Sequence, residues 1–380
     1  MKNIGIIEPF LNSKEKNELV ECINKREISS YGKKVNQLER EIKKHTKSQY
    51  NLASSSGSAA LIISYKALNI KDDDMVIMPS YTFIATLASA VHNNANIWLF
   101  DIDPNTVCID IEQLKISLKE KTYKKGNYHY HKKTKKRVFA ICPVLTFGIV
   151  PNLLEIKKIA NYYNLKVILD AAAGFGSNFK GKDLSKYCDI AVYSMNGNKT
   201  FTSGGGGIIS TNKSRLYKLA KLYLNNGKNK SKYNHSVIGF NFKLTNLHAA
   251  IALAQLKKIK EIFKRKNKIN NIYKKNLNNK NILLAPEPKW SNHCLWFNFI
   301  IIKKKSIKKF LNNLNKIKFN AQLFWKPMHL QKFDTKKIII KEKLKYSEIL
   351  WKRLIPLPSS INLTMNLQLK IINIIKNNIK

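Results

Sequence analysis

Tyr193-Ser194-Met195-Asn196-Gly197-Asn198-Lys199-Thr200-Phe201-Thr202-Ser203 runs directly into Gly204-Gly205-Gly206-Gly207. The stretch opens on the end of a short apolar run, Ile190 to Tyr193, with the length of a buried strand. It closes on glycines that let the chain turn tightly. Between them stands Lys199, at a strand end and in a loop. That is the setting in which an enzyme bonds a lysine amine to an aldehyde cofactor.

Working outward, the apolar runs Met75 to Met78, Ile97 to Phe100, Val138 to Ile141 and Val167 to Leu169 repeat the strand pattern, bounded by Pro79, Asp101, Pro143 and Asp170. Between two of them Leu153, Ile156, Ile159, Ala160 and Tyr163 recur at helical spacing after an N-cap at Asn152. Alternating strands and helices predict an α/β domain with a mostly parallel sheet. Ligands of such sheets collect outside the carboxyl ends of the strands. Asp170 and Ser194 fall there, as does Ser56-Gly57-Ser58, between the run Asn51 to Ser54 and the helical stretch Ala59 to Leu68.

These positions answer the demands of one cofactor, pyridoxal phosphate. Its phosphate wants hydroxyls and backbone N–H groups at a helix start, which Ser56-Gly57-Ser58 supplies. Its pyridine nitrogen wants a carboxylate, and Asp170 ends a strand. Its ring wants an aromatic neighbour, and Phe83 stands in Pro79-Ser80-Tyr81-Thr82-Phe83-Ile84-Ala85-Thr86. Its aldehyde wants the amine of Lys199. Singly, a Ser-Gly turn, a capping Asp and a core Phe are ordinary; four such signals in this order are not. Gly176-Ser177-Asn178-Phe179-Lys180-Gly181-Lys182 has part of a P-loop pattern, but Asp183 stands where a Ser or Thr must hold magnesium, so it reads as a surface hairpin.

From Leu256 the pattern changes. Leu256, Ile259, Ile262, Phe263, Ile269, Ile272, Tyr273 and Leu277 form one helical stripe, a long helix dividing a large domain, 1–255, from a smaller one, 256–380. The stretch Lys119 to Arg137 reads as an exposed basic insertion with His129 and His131 solvated.

Composition bounds the partners. The formal charge is +44 over 380 residues, yet arginine occurs only as Arg26, Arg40, Arg137, Arg215, Arg265 and Arg353. Base-reading proteins lean on arginine, so the scattered lysines describe a solvated surface and no specific nucleic-acid partner is expected. The five cysteines, Cys22, Cys108, Cys142, Cys188 and Cys294, form no C-x-x-C pair and predict neither a disulfide framework nor a metal site. No apolar segment is long enough to span a bilayer and Met1 to Asn12 lacks a signal-peptide pattern; a soluble cytoplasmic protein is expected.

The chain resembles the DegT/DnrJ/EryC1/StrS family of nucleotide-sugar aminotransferases. The resemblance spans nearly its whole length: Glu8-Pro9, Ser29-Ser30-Tyr31-Gly32-Lys33, Ser56 to Leu61, Pro79 to Thr86, Asp101-Ile102-Asp103, Asp170-Ala171-Ala172, Asn198-Lys199, Gly239 to Leu244, Ala254-Gln255-Leu256, Pro327-Met328-His329-Leu330 and Leu357-Pro358. It implies a pyridoxal-phosphate-dependent transferase of fold type I, related to aspartate aminotransferase, with a mostly parallel seven-stranded sheet in the large domain and a smaller α+β C-terminal domain. By position it assigns Lys199 the cofactor bond and the proton shuttle, Asp170 the pyridine nitrogen, Phe83 the ring stack, and Gly57, Ser58 and Ser194 the phosphate. Asn241 would reach the phosphate of the partner subunit's cofactor in a homodimer, and His329 would contact substrate.

Asn196-Gly197-Asn198-Lys199 followed by four glycines is most similar to the branch acting on UDP-2-acetamido-4-keto-6-deoxyhexoses, of the legionaminic acid and bacillosamine type, with L-glutamate as the implied donor. Perosamine-type enzymes, which use a GDP sugar, share Gly-Asn-Lys but usually continue Gly-Glu-Gly-Gly. Two departures stand out. Ala173 replaces the Gln, His or Glu that contacts the cofactor's 3-hydroxyl, and Lys243 stands where Arg is common, losing a planar fork. The related sugar dehydratases carry His at the lysine position, so Lys199 argues against that reading. An intact Lys199/Asp170 pair argues against a nonenzymatic regulator on the same fold.

Overall fold

The computed structural model describes residues 5–229, 233–303, 307–315, 319 and 321–379. Its central sheet contains β1 (Tyr50–Ser54), β2 (Met75–Pro79), β3 (Asn96–Phe100), β4 (Arg137–Ile141), β5 (Lys166–Asp170), β6 (Ile190–Ser194), β7 (Gly207–Thr211) and β8 (Ile339–Lys341). The spatial order is β1-β7-β6-β5-β4-β2-β3-β8. Among these eight strands β7 alone runs opposite to the rest. The first seven are the expected mostly parallel sheet; β8 and a hairpin extend it to ten strands.

Both faces of this sheet are covered, so its strands carry apolar residues at odd and even positions alike. Met75, Ile77, Trp98, Phe100, Val167, Leu169, Ala191 and Tyr193 enter one core, with residues of the helices Lys33–Thr46, Leu153–Tyr162 and Asn246–Lys257. Val76, Met78, Ile97, Leu99, Ile168, Ile190 and Val192 enter the other, with the helices Gly57–Ala67 and Ser214–Leu224. Asp170 and Ser194 share the even parity of Ile168 and Val192. The two-residue repeat of a strand therefore turns both polar ends toward the face on which Gly57–Ala67 lies.

The basic stretch is not a solvated loop. Thr122–Lys125 and Tyr128–His131 form a hairpin whose second strand pairs with the start of β4. His131 is buried, its ring edge-on to Trp98 at 4.7 Å, while His129 lies partly buried against Tyr163. Strand alternation produces this: His129 and His131 share one face of the hairpin, and Tyr163 and Trp98 pack against that face. The long helix also departs from expectation, beginning at Asn246 and breaking at Lys258 (φ −114°, ψ 12°) before Ile259–Asn276.

A second, three-stranded antiparallel sheet joins Ile282–Leu284, Phe299–Ile302 and Leu354–Pro356. It shares a core with Ile269, Tyr273, Phe310, Ile371 and Ile375. Between these strands the chain returns to the central sheet, where β8 pairs with β3 and the Met328 N–H donates to the Ser80 carbonyl (2.8 Å).

Candidate active site

The carboxyl ends of β5 and β6, the start of Gly57–Ala67 and the loop after β2 enclose a cleft of about 730 Å³. At one end Ser56 caps the helix, its Oγ accepting from the Ala59 N–H at 3.0 Å. Gly57 follows where a Cβ would lie 3.1 Å from the Ser194 Cβ. The missing side chain lets the helix start and the end of β6 converge. Gly57, Ser58 and Ser194 line this end together. The first N–H groups of a helix lack intrahelical carbonyl partners, so with these hydroxyls the pocket end suits a phosphate.

Asp170 lies deeper and is buried. Its Oδ2 accepts from the Thr86 hydroxyl at 2.7 Å and its Oδ1 from the Ala172 N–H at 3.1 Å. Because Thr86 gives its proton to the carboxylate, the Thr82 hydroxyl 2.8 Å away donates to Thr86 in turn. Burial pushes the Asp170 carboxyl above its ordinary value; Thr86, the Ala172 N–H and Lys199 oppose this. A buried carboxylate held by two donors, on the wall of a cleft, has the environment that a protonated pyridine nitrogen would neutralise.

Phe83 precedes the helix Ile84–Val91 as its N-cap residue and is 54% exposed, into the cleft and not in the core. Thr86 follows one helical turn later, so a single turn presents both a ring surface and the hydroxyl that orients Asp170. Trp296, Phe324 and Trp325 also line the cleft, the Trp325 ring 6.1 Å from that of Phe83. Trp325 has φ +53°, an unusual backbone state for a bulky residue.

Lys199 is half-buried on the same wall. Its Nζ lies 3.6 Å from the centre of the Trp296 ring. Burial holds the amine down at about 8 against the opposing pull of Asp170. Roughly a tenth is then neutral at pH 7, the form that can attack a carbonyl or accept a proton.

The structure thus brings Gly57, Ser58, Phe83, Asp170, Ser194 and Lys199 to one cleft. Asn241 is exposed on a segment bridged to Asn225 and does not line it. His329 does not line it either. Its Nδ1 lies 2.7 Å from the Ser80 Oγ and its Nε2 3.4 Å from Glu348 Oε1, so within this chain the ring ties the segment after Trp325 to the end of β2. Ala173 lines the cleft with a methyl group, where the resemblance expects a polar contact.

A family model described as the DegT/DnrJ/EryC1/StrS aminotransferase family matches residues 9–376. The chain belongs to that family. It is 32% identical over 314 residues to a GDP-perosamine synthase of Escherichia coli O157:H7, covering 82% of each chain. Among solved structures, a family aminotransferase from Brucella abortus superposes with TM-score 0.89 at 22% identity, covering 97% of this chain and 95% of that one. NtdA of Bacillus subtilis, solved with bound PMP, gives 0.84 at 26% identity, covering 98% and 83%.

As a DegT/DnrJ/EryC1/StrS member the protein is a sugar aminotransferase with pyridoxal phosphate as cofactor. The cleft fits that cofactor at three points: hydroxyls and a helix start for its phosphate, a buried carboxylate for its ring nitrogen, and an amine for its aldehyde. No helix among the described residues is long and apolar enough to cross a membrane. Thr86 was not among the expected site residues, although its place one turn after Phe83 marks it as a neighbour of the same site. Trp296 left no local signal, being 97 residues from Lys199 in the chain.

Proposed function

We propose that the protein moves the amino group of L-glutamate to the 4-keto carbon of a nucleotide-linked 4-keto-6-deoxysugar. The carrying observation is the cleft that holds Lys199, Asp170 and an exposed Phe83 beside a wall of further aromatics. When bound, pyridoxal phosphate supplies the aldehyde that takes up the amino group and the ring that spreads the resulting electron pair. Asp170 would keep the ring nitrogen protonated, and Thr86 would keep Asp170 aimed. Phe83 would lie against the ring; Gly57, Ser58 and Ser194 would hold the phosphate. Lys199 Nζ would take the α-proton of the donor and, in the second half of the cycle, deliver a proton to the sugar carbon.

We read the sugar as a UDP-2-acetamido-4-keto-6-deoxyhexose, because Gly205 lines the cleft where perosamine-type enzymes usually carry Glu. The GDP-4-keto-6-deoxymannose reading has its own support in the GDP-perosamine synthases among the relatives. The working unit in this proposal is a homodimer in which Asn241 serves the partner subunit's phosphate, in accord with its exposure away from its own cleft. The thiols are unpaired, which suits a reducing, cytoplasmic compartment. Purified protein given glutamate and a panel of UDP-, dTDP- and GDP-4-keto-6-deoxysugars, with products read by mass, tests the assignment. A gain of one amino group on a UDP sugar supports it; preference for the GDP sugar transfers it to the second reading, and no product from any 4-keto sugar refutes both.

A further inference from the structure

Trp296 is 5% exposed and fixed from three directions. Its backbone N–H donates to the Phe147 carbonyl at 2.9 Å. Its indole Nε1–H donates to the Asn198 carbonyl at 2.5 Å. Its own carbonyl accepts from Lys266 Nζ at 2.6 Å, a buried lysine whose amine is not in the cleft. Phe297 packs at 4.7 Å and Phe324 at 6.1 Å. The ring so fixed lies under Lys199 Nζ at 3.6 Å, within the range of a cation–π contact. Asn198 immediately precedes Lys199, so one indole restrains both the backbone before the lysine and the nitrogen at its tip.

A lysine that alternates between a bonded and a free state has a positional problem. Once free, its side chain regains several rotatable bonds, yet its nitrogen must stay beside the carbon whose proton it moves. We propose that Trp296 is a positioning residue for Lys199: its indole face receives the amine whenever the nitrogen is free and keeps it within reach of the reacting carbon. Asp170 attracts the same nitrogen, while Lys266 anchors the Trp296 carbonyl. The inference rests on Lys199 being the reactive amine but not on which sugar is used.

The test compares Trp296→Phe, which keeps an aromatic face, with Trp296→Leu, which keeps only bulk. In cofactor-free protein, labelling of Lys199 by an amine-reactive reagent is followed against pH by peptide mass. The midpoint should stay near the wild-type value in the Phe variant and fall by about one pH unit in the Leu variant, because the cation loses its π partner. In the loaded enzyme Trp296→Leu should lower kcat about 10–100-fold with donor KM little changed, as expected for a misplaced group, and Phe should restore most of it. An unchanged midpoint and kcat in the Leu variant, or equal losses in Leu and Phe, overturns the proposal. If Trp296→Leu does not fold, tryptophan emission of the wild type decides. It should titrate with the Lys199 amine, and a pH profile identical to that of Lys199→Met refutes the contact. The labelling and emission measurements contain no sugar, so a wrong substrate assignment leaves their outcome unchanged.

Discussion

Replacing Thr86 by valine removes one hydroxyl and preserves the shape of the side chain. That hydroxyl donates to Asp170 Oδ2 at 2.7 Å in a buried setting, and a hydrogen bond to a charged group contributes about 1.5–3 kcal/mol. Its loss should raise the Asp170 carboxyl by about 1–2 pH units and weaken binding of the cofactor, whose ring nitrogen needs the ionised form, by about 10–100-fold. In the cofactor-free protein the same hydroxyl also affects how stability depends on pH. Asp170 already sits above its ordinary 3.8, raised by burial, so the folded chain keeps a proton that the unfolded chain has released. Its contribution to stability is full below 3.8 and is lost as pH climbs through the raised value. Thr86→Val carries that loss further upward, so the stability gap between wild type and variant should widen from pH 4 toward neutrality. Titration of cofactor-free protein with pyridoxal phosphate measures the first effect, and urea denaturation at several pH values the second; Thr86→Ser should restore both. Cofactor affinity within twofold of wild type in Thr86→Val would refute the role of this hydroxyl.

Borohydride reduction of the cofactor-loaded enzyme should place the label on Lys199 alone in a peptide map, and Lys199→Ala should abolish transamination while still binding the cofactor noncovalently. Asp170→Asn should fold yet lose at least about 100-fold in turnover, since a buried pair broken on one side costs about 3–5 kcal/mol; near-normal turnover would reduce Asp170 to a local cap. Mixing inactive Lys199→Ala with inactive Asn241→Asp chains should restore activity on subunit exchange, because one site of the mixed dimer is then wholly wild type. Exchange confirmed by mass without recovered activity would make Asn241 a residue of its own chain.

The strands were legible because a sheet buried on both faces writes itself as unbroken apolar runs, and the shortness of Met75 to Met78 or Ile190 to Tyr193 favours a strand over a helix. Asp170 and Ser194 were legible as the polar residues ending such runs. His131 was not, since its burial depends on Trp98, a partner that a sequence cannot announce. The contact between Trp296 and Lys199 escaped for the same reason. His329 stood in a recognisable Pro-Met-His-Leu motif, but only the folded chain brings Ser80 and Glu348 to either side of its ring.

The pairing of β8 with β3 has a consequence for how the chain is made. Strand β3 is complete once Phe100 has been synthesised, while the residues that cover its open side, Ile339–Lys341, follow roughly 240 residues later. At 5–20 residues per second that is on the order of 12–50 s. Throughout that interval the nascent sheet offers the unpaired backbone of an apolar strand, Asn-Ile-Trp-Leu-Phe, to any neighbouring chain. Chains cut before Ile339 should therefore precipitate rather than accumulate as a smaller folded unit, and the wild-type yield in cells should rise when translation is accompanied by chaperones that shield such backbones.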